Sequence, residues 1–165
     1  MNGLPQDLID KANRVLAACE AADTPLALAE SCTGGLVGAS LTAISGSSAW
    51  IDRGFITYSN QAKIDMLGVA ETLIERFGVV SEEVARAMAE GALAHSRAKA
   101  AAGITGIAGP TGGTADKPVG LVHIAAARLG RETLHRRLLL AGDRDQVRHD
   151  AAMAALDLLI RRIET

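Results

Sequence analysis

The chain is poor in aromatic side chains, in cysteine and in net charge. Its 165 residues include one Trp, one Tyr and two Phe, too few for the stacking platform that single-strand nucleic-acid binders need. Its two cysteines, Cys19 and Cys32, form neither a Cys-x-x-Cys pair nor a disulfide framework, which fits free thiols in a reducing compartment. A formal charge of −2 gives no electrostatic reason to approach nucleic acid. No apolar run is long enough to span a bilayer, and Met1 to Asp7 lack the basic start and apolar core of an export signal. His95, His123, His135 and His149 make no paired ligand motif, so no metal is expected, and no other cofactor. These absences leave a cytoplasmic protein, one domain over residues 1–165, with no nucleic-acid or membrane partner. Self-association into a homo-oligomer is left open.

The stretch that stands out is Glu30-Ser31-Cys32-Thr33-Gly34-Gly35. Leu26 to Ala29 before it read as a short buried strand; Leu36, Val37, Leu41 and Ile44 after it recur near helical spacing. A strand, a tight turn and a helix start collect free backbone N–H groups at the positive end of a helix dipole, where a phosphate or an oxyanion could be held. Ser31 and Cys32 add two potential nucleophiles. On these six residues alone, the plainer reading stands beside this one: a hydroxyl caps the helix and the glycines only make the turn.

Along the rest of the chain, Leu8, Ile9, Ala12, Val15, Leu16 and Cys19 form one face of an opening helix. After the helix behind the hexad, Ile44 to Ala49 form a small-residue turn whose Ser47 and Ser48 could border the same pocket. Trp50 to Tyr58 read as a strand, followed by a short helix capped by Ser59 and stopped by Gly68, with Lys63 in its first turns. Glu71 to Phe77 and a longer, alanine-rich stretch from Glu82 to about Arg97, capped by Ser81, read as helices. Ala101 to Ala108 form a buried strand that runs into a glycine-rich loop. Six of the 17 glycines fall between positions 103 and 120, a density that accommodates either a flexible loop or the close approach of a ligand. Lys117 follows at the wrong spacing for a Walker loop. Pro118 to Ala127 and Glu132 to Leu140 pair as an antiparallel hairpin, in which His123 and His135 read as plain strand side chains. Asp143 then caps a final helix to about Ile163. Arg144, at the start of that helix, is placed to meet an anion.

Scattered histidines make a serine–histidine–carboxylate triad hard to assemble, and a serine–lysine dyad is easier. The lysine must be neutral to act as base. Lowering its pKa from about 10.4 towards 7 takes roughly 4 to 5 kcal/mol of differential stabilisation. Burial near Trp50, Phe55 or Tyr58, together with a helix N-terminus, pushes in that direction. The expected catalytic set is Ser31, Lys63, Ser48 and Tyr58, with backbone N–H groups of Thr33, Gly34 and Gly35 as oxyanion donors. Thr105, Gly106, Gly109, Gly112 and Arg144 are the other expected substrate contacts. The choice among Ser31, Cys32 and Ser48 as nucleophile stays open.

Ala29 to Gly35, Gly46-Ser47-Ser48, Thr57-Tyr58-Ser59-Asn60 with Lys63, and Leu67-Gly68-Val69 come in an order that carries a resemblance. So do Val80 to Ala85, Thr105 to Pro110, Lys117-Pro118-Val119-Gly120 and Gly142-Asp143-Arg144. Together these blocks resemble the C-terminal domain of the CinA competence/damage-inducible family over nearly the whole chain, in its stand-alone form. The resemblance implies an α/β fold: a single three-layer domain, a mixed sheet flanked by helices with a C-terminal antiparallel hairpin. It also implies hydrolysis of nicotinamide mononucleotide to nicotinic acid mononucleotide and ammonia. A module that binds a nucleotide or a protein without turnover, linked to competence and DNA damage, is the other reading.

Overall fold

A computed structural model describes residues 3–165; Met1 and Asn2, part of the stretch read for an export signal, lie outside the described residues. The chain runs α1 (Gln6–Ala22), β1 (Leu26–Glu30), α2 (Leu36–Thr42), β2 (Ile51–Ile56), α3 (Asn60–Leu67), α4 (Glu71–Phe77), α5 (Glu82–Ala94), β3 (Ala100–Gly106), β4 (Leu121–Arg128), β5 (Leu134–Leu139) and α6 (Arg144–Glu164). Local chemistry sets the helix starts: Ser59, Ser81 and Asp143 each accept the amide three residues on, from Ala62, Val84 and Gln146. Among the described residues, no helix is long and apolar enough to cross a membrane.

The five strands form one sheet in the order β2-β1-β3-β4-β5, in which β2, β1 and β3 are parallel and β4 and β5 antiparallel. The hairpin is β4–β5, and α6 follows it. Alternation along each strand divides the core. Leu26, Leu28, Ile104, Val122 and Ile124 pack on the face that carries α1, α2 and α6. Ala27, Ala29, Ala101, Ala125 and Ala127 meet α5 on the other face.

That second face is tight because it is built from alanine and glycine. A Cβ added at Gly103 would lie 2.5 Å from the Ala85 carbonyl oxygen and 2.6 Å from the Ala89 nitrogen. Gly103 is therefore required by helix-to-sheet contact and not by a ligand, which corrects one of the two readings of the glycine-rich stretch.

Topology fixes where a site can form. β1 lies between β2 and β3, and the connections that leave β1 and β2 run over opposite faces, through α2 and through α3 to α5; the carboxyl ends beside such a reversal are where open α/β sheets bind ligands. Because β4 is antiparallel to β3, the 107–120 connection lies at that same end; because β5 is antiparallel to β4, so does the start of α6. Ser31, Tyr58 and Arg144 each follow a strand that ends there, and Gly106 is the last residue of another.

Gly103→Ala forces either the α5 backbone or β3 to move, an overpacking cost of about 1–3 kcal/mol. Urea unfolding should show that loss with little change in m-value. A variant as stable as the parent would contradict the close packing of α5.

Candidate active site

Glu30, the last residue of β1, is 2% exposed and its carboxylate is fully engaged by the turn that follows. Oε2 accepts from Thr33 Oγ1 (2.6 Å) and from the amides of Gly35 (3.0 Å) and Val37 (3.2 Å), and Oε1 from the amide of Gly38 (2.8 Å). A buried carboxylate survives only with such partners, and the first turn of α2 supplies them. Gly34 and Gly35, at φ +59° and +97°, give the turn its left-handed steps. From the other side, Arg148 of α6 donates to the carbonyls of Cys32 (3.3 Å) and Thr33 (3.0 Å). The turn is thus held by an anion on its amides and a cation on its carbonyls.

This overturns one expectation. The amides of Gly34 and Gly35 cannot face a substrate, because Gly34 donates to the Ser31 carbonyl and Gly35 to Glu30. Thr33, Gly34 and Gly35 do not line the pocket; Thr33 and Gly35 serve Glu30, and Gly34 closes the turn onto Ser31. The amides of Cys32 and Thr33 have no acceptor among the described residues.

Ser31 projects from this turn beside Lys63. Lys63 Nζ donates to Ser31 Oγ at 3.1 Å, to the Thr57 carbonyl at 2.8 Å and to the Ser59 carbonyl at 3.4 Å, and the side chain is 1% exposed. Burial pushes its pKa down from 10.5 to about 8, while a Cys32 thiolate would act weakly in the opposite sense. The shift disfavours the ammonium by roughly 3 kcal/mol. When the amine is neutral, its two N–H groups can serve the two carbonyls, leaving the lone pair for the Ser31 hydroxyl proton. Cys32 lines the same pocket, but burial raises its thiol to about 11, with Glu30 adding to the rise, so it is protonated at neutral pH.

The pocket, about 400 Å³, is lined by Ser31, Lys63, Tyr58, Thr105, Gly106, Gly109, Gly112 and Arg144, among others. Arg144 donates to the Gly109 carbonyl (2.7 Å) and to Tyr58 Oη (2.8 Å), tying the 107–120 connection to the end of β2. Thr105 donates to the Val79 carbonyl (2.9 Å). Gly106 also has an internal cause, since a Cβ there would lie 2.7 Å from Val122 and 3.1 Å from Cys32 Sγ.

Ser48 is not at this site. It occupies a 3-10 turn, Ser47–Ala49, and lines a separate depression with Pro25, Trp50 and Arg97 at the amino end of β1. Five strand residues, roughly 16 Å, separate that end from Ser31. The helix after the hexad carries the chain back down the sheet, so nearness in sequence does not become nearness in space. Of the aromatics expected around Lys63, Trp50 and Phe55 pack into the two opposite cores, and Tyr58 lines the pocket.

Sequence reasoning missed Asn60 and Lys117 as pocket residues, and Glu30 and Arg148 as supports of the turn. The signal for Glu30 was a carboxylate ending a buried apolar strand, which must find donors nearby. Arg148 had no local signal, because its partners lie 115 and 116 positions away. Among the described residues, no three His, Cys, Asp or Glu side chains come together to hold a metal.

A doubly wound sheet with a small-molecule pocket at its switch point defines the class. The chain belongs to the CinA C-terminal domain family, whose model matches residues 9–163. It is 48% identical over 153 residues to the nicotinamide-nucleotide amidohydrolase PncC of Escherichia coli (strain K12), covering 93% of each chain. It is 54% identical over 136 residues to a CinA-like protein of Syntrophobacter fumaroxidans, covering 82% of this chain but 32% of that one. The chain thus spans about a third of its longer relatives and nearly the whole of the shorter ones. The crystal structure of the competence/damage inducible protein CihA from Agrobacterium tumefaciens superposes over all of both chains with a TM-score of 0.96 at 44% identity.

Glu30→Gln turns one acceptor oxygen into an NH2 group that must face backbone N–H donors, at a cost of roughly 1–3 kcal/mol. Thermal unfolding should register that loss. Parent-like stability would show that the carboxylate does not hold the turn.

Proposed function

We propose that this chain hydrolyses the carboxamide of nicotinamide mononucleotide, giving nicotinic acid mononucleotide and ammonia, with Ser31 as nucleophile and Lys63 as base. The observation that carries the mechanism is the 3.1 Å contact between a buried lysine and a serine on a fixed turn. The substrate follows from the relatives named amidohydrolases along nearly their full length.

Ser31 Oγ attacks the carboxamide carbon and its proton passes to neutral Lys63 Nζ. The oxyanion is met by the amide of Cys32, a pocket-lining residue whose N–H the turn leaves without an acceptor. Protonated Lys63 returns the proton to the amide nitrogen, the C–N bond breaks and ammonia leaves. Water, deprotonated by Lys63, then attacks the seryl ester and releases the carboxylate and Ser31. Arg144 and the Thr105–Gly112 stretch hold the rest of the nucleotide, with Tyr58 at the rim. Residues 1–165 act as one unit in the cytoplasm on a free nucleotide, without nucleic acid or membrane, as a monomer or a homo-oligomer.

Ammonia release from nicotinamide mononucleotide tests the reading. Ser31→Ala and Lys63→Arg should each lose about a thousandfold or more in kcat, since a guanidinium keeps the charge but is not deprotonated in the working range. No ammonia from the parent protein would favour the module that binds without turnover; a fully active Ser31→Ala would overturn the nucleophile.

The pH profile follows from Lys63. Its base form is the minor one below about 8, so kcat/KM should rise about tenfold per unit from acid pH and level off above that value. A flat profile between pH 6 and 9 would exclude Lys63 as the base.

A further inference from the structure

Among the described residues, no carboxylate lines the pocket, yet three basic side chains do: Lys63, Arg144 and Lys117. Lys63 is buried behind Ser31, and Arg144 is held by the Gly109 carbonyl and Tyr58. Lys117, at the far end of the 107–120 connection, crosses to the carboxyl end of α4, where its ammonium donates to the Phe77 carbonyl at 2.5 Å. The side chain passes close over Gly78, at φ +77°, where a Cβ would lie 2.5 Å from Lys117 Nζ. Its backbone is fixed too: Thr114 N donates to the Lys117 carbonyl (2.8 Å) and Lys117 N to Thr114 Oγ1 (3.0 Å). Among the described residues, neither Lys117 nor Arg144 has a carboxylate within salt-bridge distance. Two charges held by neutral oxygens are positioned but not neutralised, and both are attached to the connection that arches over one pocket.

We propose that Lys117 is a specificity-determining residue: with Arg144 it receives a phosphate monoester dianion, and it leaves the Phe77 carbonyl to do so. This rests on the nucleotide-hydrolase reading and assigns the second cation of the same site. Arg144 spends two of its five donors on the protein and Lys117 one of its three, so both keep donors for an incoming anion. A ligand that lacks the phosphate gains nothing from the ammonium.

The test compares the parent with Lys117→Met, which keeps the stem and removes the charge, on nicotinamide mononucleotide and on nicotinamide riboside. KM for the mononucleotide should rise about tenfold or more, with kcat changed less than about threefold, while kcat/KM for the riboside stays the same. Lys117→Arg should recover much of the lost affinity. Calorimetry with ribose 5-phosphate probes the phosphate subsite alone and should show tighter binding to the parent than to Lys117→Met. An unchanged KM for the mononucleotide, or an equal loss on both substrates, overturns the proposal. A parent that releases no ammonia from either compound removes the hydrolase reading instead, and Lys117 is then judged on ribose 5-phosphate. Equal binding to the two proteins, or none to either, overturns it.

Discussion

The candidate site depends on a carboxylate that does not line its pocket. Glu30 ends β1 in the core and takes three amides and a hydroxyl from the turn and the first residues of α2. A short helix with an unaccompanied N-terminus would leave those donors unsatisfied in a buried place, and a buried carboxylate without them would be costlier still. Each removes the other's penalty, and the turn between them has one conformation. Ser31 inherits its direction from that arrangement, with Arg148 gripping the carbonyl side.

The asymmetry of the two sheet faces serves the same end. Large aliphatic side chains on the α1, α2 and α6 face make an ordinary core, whereas alanine and glycine opposite let α5 approach until backbone meets backbone. α3 packs with α5 on that close face, and Lys63 reaches Ser31 from it. A larger residue at Gly103 would move the helix layer outward, and hydrogen bonds of about 3 Å tolerate little of that.

Much of the fold was legible because its signals are local. The caps at Ser59, Ser81 and Asp143 mark helix starts, and the glycine-interrupted hexad marks a strand-to-helix turn. Ser31, Lys63, Tyr58, Thr105 and Arg144 could be named from residue type and position, and the structure brings them to one pocket. What sequence could not convey was direction. Ser48 is 17 positions from Ser31, but α2 returns the chain to the opposite end of the sheet. Amides that look free in a turn are claimed by a side chain of the preceding strand. Glycines dense enough to suggest a ligand are partly explained by α5 and by Cys32, because lacking a Cβ is equally useful against a helix and against a substrate.

In the proposed dyad, lysine in place of histidine as partner to the serine constrains everything around it. A carboxylate beside Lys63 would stabilise the ammonium and remove the base, so its protons must be held by groups without charge. The Thr57 and Ser59 carbonyls do this, and the one carboxylate of the adjacent turn is saturated by its own donors. A wall free of acidic residues then carries a second consequence. Among the described residues, Arg144 and Lys117 have no carboxylate counter-ion, and the field they leave in the pocket is the one an anionic nucleotide would fill. In the proposed reading, the condition that lowers the pKa of the base and the condition that attracts an anionic substrate are therefore one condition, a pocket wall that among the described residues carries no carboxylate.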